Sequence, residues 1–399
     1  MVLNMNTLTV QEKELFTVLN ECGRTPYEQA KNAMVGSLAV DHQLVAAVEA
    51  KYGPEKAIEM HRKKWAYVAD ASFKAAKDAL GIDKVDDLDK LVRIRMFLND
   101  GTPCPSKITE DPIRATMTVL ACPLIQIARE VFNEDLNSTW LKAAASTEEW
   151  LYHKMIELAG LEGKVEATAD MFACLESADH VCRGIYEWKQ KKQAAGVVAP
   201  AIKVGRYGDC RDLSLDDVLD YCMAVTNKTP EEQALIATKN QYAGVYLTWK
   251  CLNAEFGPEI AEELYWQVWK QLVEMSYRKA VKVLNIVPKT ARDIGIIHQY
   301  FFYDVPSRYV VIKDTEDEWI ADVQWCPNPE LGPSDVHAMR MAYYKTEYYL
   351  SLLVNQHVID MAGLSDEVET EQPTGYCCFG REYCGKQACR FIYRKKNHK

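Results

Sequence analysis

Apolar and small residues return at helical spacing over long stretches of the chain, and further on the period changes to two. After Gly53-Pro54, positions Ile58, Trp65, Val68, Ser72, Ala76 and Leu80 fall at helical intervals. Downstream, Leu264, Val268, Trp269, Leu272, Ser276, Ala280 and Leu284 do the same. The segment 25–51 opens on Thr25-Pro26 with Glu28 in the first turn, which predicts a helix start. Next, Ile113, Ala115, Met117, Val119 and Ala121 alternate with Arg114, Thr116, Thr118, Leu120 and Cys122, the pattern of a half-buried strand. Trp319, Ala321, Val323 and Trp325 alternate in the same way with Ile320, Asp322, Gln324 and Cys326. A strand at 308–313 precedes them, with a hairpin turn at 314–317. Long helices are expected at 146–159 and 337–361. Closing strands are expected at 165–173 and 180–188, and at 368–372 and 388–394. Helices and strands are segregated, so the pattern predicts an α+β fold, with N-terminal helices packed on a small, mainly antiparallel sheet.

The pattern occurs twice. Thr25-Pro26 matches Thr229-Pro230, Gly53-Pro54-Glu55 matches Gly257-Pro258-Glu259, Trp65 matches Trp269, Ser72 matches Ser276, and Cys122-Pro123 matches Cys326-Pro327. All these pairs share one offset of 204 positions, where chance would scatter the offsets. Later the offset drifts, as loop insertions would make it: Ala159-Gly160-Leu161 matches Ala362-Gly363-Leu364, and Cys182-Arg183 matches Cys389-Arg390. The chain therefore reads as two tandem homologous modules, 1–190 and 210–399, joined by a linker at 191–209. Two copies are too few for a solenoid.

Composition narrows the classes. Hydrophobic content of 48% and charged content of 26% are those of a globular protein. A net charge of −10 argues against nucleic acid as a partner, because phosphates reward excess Lys and Arg. No apolar stretch is long enough to span a bilayer, and 1–12 has no secretory pattern, so a cytoplasmic protein without a membrane partner is expected. Thirteen cysteines in such a compartment read as buried thiols, reactive thiols or metal ligands rather than disulfides.

Several residues could carry chemistry. Cys122 and Cys326 each end a strand and precede Pro. A helix beginning at Pro123 would place the Cys122 thiol at the positive end of a dipole, lowering its pKa and suiting a nucleophile or a metal ligand. A buried structural thiol is the alternative. Asp322 and Gln324 share the strand face with Cys326 by period-two geometry, lining a pocket or facing solvent. Cys377, Cys378, Cys384 and Cys389 could hold Zn or Fe, although adjacent strand residues point to opposite faces. Of these, Cys378, Cys384 and Cys389 are the metal candidates. His153 and His357 match at the shared offset on the long helices, His337 opens the second of these, and His180 precedes Cys182. Any of them could be a general base, and His337 and His357 are the candidates in the second copy. The Trp65/Trp269 and Ser72/Ser276 pairs read either as packing at a close helix crossing or as a cofactor platform. No Gly-rich phosphate loop, HExxH or GxSxG is found in the sequence.

The order of these features resembles the L-2-amino-thiazoline-4-carboxylic acid hydrolase-like family. The resemblance lies in the helical N-terminal part, the strand ending in Cys326-Pro327, and the final strand with Gly385, Cys389 and Phe391. In the first copy the matching positions are Cys122-Pro123 and Asp179, Cys182 and Gly184. Small-molecule sensing domains of the 4-vinyl-reductase type end in a similar strand. The resemblance implies water- or thiol-driven opening of a small thiazoline-type heterocycle, with Cys326 as nucleophile, Cys122 as its counterpart, and Asp322 or a histidine as base. The alternative is a non-enzymatic small-ligand or metal-binding protein that uses the C-terminal cysteines.

Overall fold

The computed structural model describes residues 9–21, 23–98, 101–175, 182–189, 211–226, 228–304, 306–327, 337–375 and 389–396. The first repeat runs through α1 (Val10–Glu21), α2 (Pro26–Tyr52), α3 (Pro54–Leu80), α4 (Leu88–Phe97), β1 (Ser106–Glu110), β2 (Arg114–Val119), α5 (Pro123–Gln126), α6 (Thr139–Leu158), β3 (Val165–Met171) and β4 (Cys182–Trp188). The second runs through α7 (Leu215–Val225), α8 (Pro230–Phe256), α9 (Pro258–Leu284), α10 (Ala291–Asp304), β5 (Arg308–Asp314), β6 (Glu318–Trp325), α11 (His337–Met361), β7 (Val368–Gly375) and β8 (Cys389–Lys395). The fold is α+β, as the segregated pattern predicts.

Local chemistry sets the boundaries. Thr25 and Glu28 form a reciprocal cap: the Thr25 N–H donates to Glu28 Oε2 (2.9 Å) and the Glu28 N–H to Thr25 Oγ1 (3.2 Å). Gly53 and Gly257 take φ of 86° and 78° immediately before a proline that starts the next helix. A side chain would be strained at that φ, so both repeats use glycine there.

Each repeat forms a four-stranded antiparallel sheet, ordered β1-β2-β4-β3 in one and β5-β6-β8-β7 in the other. The registers correspond as well. Ala115 pairs with Tyr186, Met117 with Gly184 and Val119 with Cys182; Trp319 pairs with Tyr393, Ala321 with Phe391 and Val323 with Cys389. Even a cross-strand ion pair is kept with its signs reversed, as Arg114–Glu187 in one sheet and Glu318–Arg394 in the other.

By packing, the chain divides into unit 1, Leu44–Thr229, and unit 2, Val2–Gln43 with Pro230–Lys399. The boundaries expected from the repeat, 190 and 210, differ from this division, and 191–209 lies outside the described residues. Unit 2 includes α1, whose Glu14 pairs with Arg308 at 2.7 Å and whose Glu12 pairs with Lys239. Unit 1 includes α7, whose first N–H, on Leu215, donates to Glu130 Oε1 at 2.7 Å. Each unit thus contains the opening helix of the other repeat.

Each unit has its own core. In unit 1, Leu91, Ile94, Ala115, Met117, Leu151, Tyr152, Met155 and Tyr186 close over the sheet. In unit 2, Ile294, Ile297, Trp319, Ala321, Val358, Ile359, Phe391 and Tyr393 do so. Two differences from the sequence expectation matter for the site. Helix α6 begins at Thr139, two turns before 146. The two long helices also end on Gly160 and Gly363, at φ of 65° and 69°, which fixes their mutual offset at 203 rather than 204. His153 therefore corresponds to Gln356, and His357 to Lys154, so the histidines are not equivalent. Their match at offset 204 comes from ignoring a one-residue length difference between strand and helix.

Candidate functional site

Unit 2 has a partly open cavity of about 200 Å³ between α8, α9, α10, α11 and the inner face of its sheet. Its wall is mostly apolar and aromatic, with Trp269, Leu272, Val273, Phe301, Val323, Leu350, Val354 and Phe391. The polar exceptions are few: Cys326, Cys389, His298, Glu347, Gln372 and a handful of hydroxyl groups. No Lys or Arg is among the lining residues.

The polar groups are held by directional hydrogen bonds. Ser351 Oγ and Asn355 Nδ2 both donate to Gln372 Oε1, at 2.8 and 3.2 Å. That leaves Asn355 Oδ1 to accept from the Tyr393 hydroxyl at 3.3 Å. With its proton so engaged, Tyr393 accepts from His298 Nδ1 at 2.5 Å. The chain of bonds makes Nδ1 the protonated nitrogen and Nε2 the acceptor. Burial holds the His298 pKa down at about 3, so the imidazole is neutral at physiological pH. Also in the wall, Glu347 is 7% exposed and accepts from the Tyr265 hydroxyl at 2.6 Å. Burial, and after it the Glu347 carboxylate, pushes the Tyr265 phenol well above its usual range.

The sequence candidates do not converge. Cys326 lies one residue past the end of β6 and lines the cavity together with Val323. Asp322 is on the alternate side of the strand, where Arg390 Nε and a second guanidinium nitrogen grip both of its oxygens at 2.7 Å. The expected shared face fails because the strand stops at Trp325, and period-two geometry does not extend past it. His357 is also away from the wall, with Nε2 3.2 Å from Glu274 Oε1 and its ring edge-on to Trp266. His337 opens α11, but its side chain lies outside the described residues, as do His180, Cys377, Cys378 and Cys384. Cys389 is buried at the start of β8 and lines the cavity. Among the described residues no group of three or more Cys, His, Asp or Glu is arranged to hold a metal ion. Of the two readings of the Trp and Ser pairs, Trp65 packs on the unit 1 core, whereas Trp269 and Ser276 line the cavity.

Unit 1 corrects the expectation for Cys122. The helix it caps continues past Gln126 as a π-helical turn, Ile127–Val131. The Leu124 N–H at its start does pull the Cys122 pKa down, but larger opposing effects outweigh it. Its thiol shares a hydrogen bond with Cys104 and is buried, and both effects push its pKa well above the ordinary value. Cys104 in turn touches Cys222 on α7. These are packed, protonated thiols, the opposite of an activated nucleophile.

Sequence reasoning missed His298 and Glu347. The available signal was a histidine amid the apolar run Ile296-Ile297-His298, and an acid amid the tyrosines Tyr343, Tyr344, Tyr348 and Tyr349. Among the described residues no helix is long and apolar enough to cross a membrane. Comparison of the chain with family models, with curated proteins and with solved structures finds no match.

Proposed function

We propose that unit 2 is a receptor for a small, largely apolar molecule. The observation that carries this reading is the cavity itself, about 200 Å³ inside a packed core, walled by aromatic and aliphatic side chains with a few fixed polar groups. Interiors close-packed at ordinary density leave few voids larger than a water molecule. Apolar cavities of this kind take up hydrocarbons of matching size. The test is thermal unfolding of the full chain with propylbenzene. A probe at about 100 times its Kd adds about 2.7 kcal/mol to the stability of whatever unit holds it. The expected result is a rise in the melting temperature that Ser276→Leu, which places a larger side chain into the cavity, removes. No rise in the wild type, or the same rise in Ser276→Leu, would refute the receptor reading.

A second reading keeps the Cys-dependent hydrolysis of a small heterocycle. What favours it is that Cys326 stands in the wall of the same cavity as His298. In this version His298, in place of Asp322, His337 or His357, would take the thiol proton. A base whose pKa lies at about 3 is far from the near-neutral value that general-base work requires, so binding is the better supported of the two. Turnover of a thiazoline that is lost in Cys326→Ser would reverse that order.

A further inference from the structure

The two repeats put different groups in corresponding space. In unit 1 that space is filled from within. Arg95 on α4 is fully buried and forms an ion pair with Glu148 of α6. Its guanidinium carbon lies 5.5 Å from the centre of the Tyr152 ring. Glu148 is close enough to the Cys122 and Cys182 thiols to push both of their pKa values up, after the larger effects of Cys104 and burial. By the pairings established above, Glu148, Cys122 and Cys182 correspond to Ser351, Cys326 and Cys389, and all three of these line the unit 2 cavity.

Helices α4 and α10 start at Leu88 and Ala291, so Arg95 corresponds to His298, a neutral imidazole in the cavity wall that donates to the Tyr393 hydroxyl at 2.5 Å. Tyr152 corresponds to Asn355. The internal cation and the ring beneath it are thus replaced by smaller neutral groups, and the space is open. A carboxylate is nonetheless present there. Glu347 stands one turn before Ser351 on the same face of α11, where unit 1 has Ala144. Its surroundings are aromatic, with Tyr242, Trp269 and Tyr348 in the same wall.

From this correspondence we infer that the unit 2 cavity takes a small organic cation, a molecule with one aromatic or aliphatic body and one ammonium-type nitrogen. The inference rests on the reading of the cavity as a ligand site and specifies what fills it. The ligand's nitrogen does in unit 2 what the Arg95 guanidinium does in unit 1. A charge-assisted hydrogen bond to Glu347 is strong where water is excluded. Tyrosine and tryptophan faces add attraction for the same charge. His298 Nε2 is a second acceptor, so both well-placed polar groups call for donors on the ligand. The absence of Lys and Arg from the wall leaves no partner for a ligand carboxylate, which excludes amino acids and other zwitterions.

The experiment is calorimetric titration of the full chain with 2-phenylethylammonium, with 2-phenylethanol as its neutral near-isostere, with 3-phenylpropanoate, and with propylbenzene. The wild type is expected to bind the ammonium at least about tenfold tighter than the alcohol, and not to bind the carboxylate. Glu347→Gln is expected to erase the difference between ammonium and alcohol. If the alcohol or propylbenzene binds and the ammonium binds no better, the cation inference is overturned while the receptor reading stands. Ammonium affinity unchanged in Glu347→Gln overturns it too. If none of the four probes binds, both readings fall together. Should Glu347→Gln fail to fold, the charge preference of the wild type across the probes still decides.

Discussion

Unit 1 and unit 2 share a strand order, a strand register and a set of helix caps, yet they differ in what their interiors contain. The differences come in compensating pairs. Where unit 1 has Val92 and Ala115, unit 2 has Gly295 and Trp319. A Cβ on Gly295 would lie 2.2 Å from Trp319 Cδ2. Where unit 1 has Gly184 beside Tyr152, unit 2 has Phe391 and Asn355. A Cβ on Gly184 would lie 1.8 Å from Tyr152 Cζ. Volume has moved from one element to its neighbour without disturbing the backbone plan, as close-packed cores allow when the total is kept. At one place it has not been returned. Arg95, Tyr152 and Glu148 became His298, Asn355 and Ser351, and the result is a cavity. The comparison teaches that duplication fixes topology and caps, while function follows from a few volume exchanges that topology does not constrain.

The largest effect is expected from breaking unit 1's internal ion pair. Arg95→Ala removes a fully buried side chain and leaves the half-buried Glu148 without its guanidinium, a loss of about 3 kcal/mol. His298→Ala, at the corresponding position of unit 2, removes one hydrogen bond between neutral groups at a net cost of about 1 kcal/mol. Denaturant unfolding followed separately for each unit would measure both. The double change Arg95→Met with Glu148→Leu is expected to recover most of the loss. Equal costs at Arg95 and His298 would break the argument that the same space is filled in one repeat and open in the other.

Next in size is the exchange of volumes. Gly295→Val alone drives a side chain into Trp319, and a loss of about 3 kcal/mol is expected. Adding Trp319→Ala imports the unit 1 pair and should restore most of the stability. The sharp quantity is the coupling between the two changes, expected at about 1–3 kcal/mol in favour of the pair. Purely additive costs would mean that the two positions are not packed on each other.

How much of this was legible in the sequence depends on what each feature needs. Caps and turns depend on one or two residues, so Thr25-Pro26 and Gly53-Pro54 announce their helices and, recurring at 229–230 and 257–258, announce the duplication. Strands with one buried face show their period, so β2 and β6 are visible. The site is not, for three reasons. Cys326 lies beyond the strand end, where alternation no longer says which way a side chain points. The one-residue difference in offset between sheet and long helix pairs His153 with the wrong partner. The exchanges Val92 for Gly295 and Arg95 for His298 occur inside helices whose pattern of buried positions survives them, and only contacts across the core reveal what they do. The placement of α1 in unit 2 and α7 in unit 1 has no local signal either, because either helix has the same amphipathic face whichever repeat it packs on.

The smallest expected effect tests the comparison most directly, because it asks whether the two sheets are the same object with signs reversed. Arg114 on β2 donates from Nε to Glu187 on β4 at 2.6 Å, and Glu187 is 5% exposed. At the matching register Glu318 on β6 faces Arg394 on β8, and here the pair is wetter, with Lys313 and Glu371 sharing its charges. The Glu318 carboxyl is held below its usual range by its bonds to Lys313 first and Arg394 second. Arg114→Glu puts two carboxylates opposite each other across the strands, which is destabilising, and Glu187→Arg in the same chain restores an opposite-charge pair. The coupling is expected at about 1 kcal/mol or somewhat more in unit 1, where the carboxylate is buried, and at a few tenths in the exposed unit 2 pair. It should also weaken with salt more in unit 2 than in unit 1. If the reversed pair in unit 1 is no better than the single variant, the two sheets do not tolerate the same exchange. The sign reversal would then reflect different neighbours, not a shared site that drifted through a neutral swap.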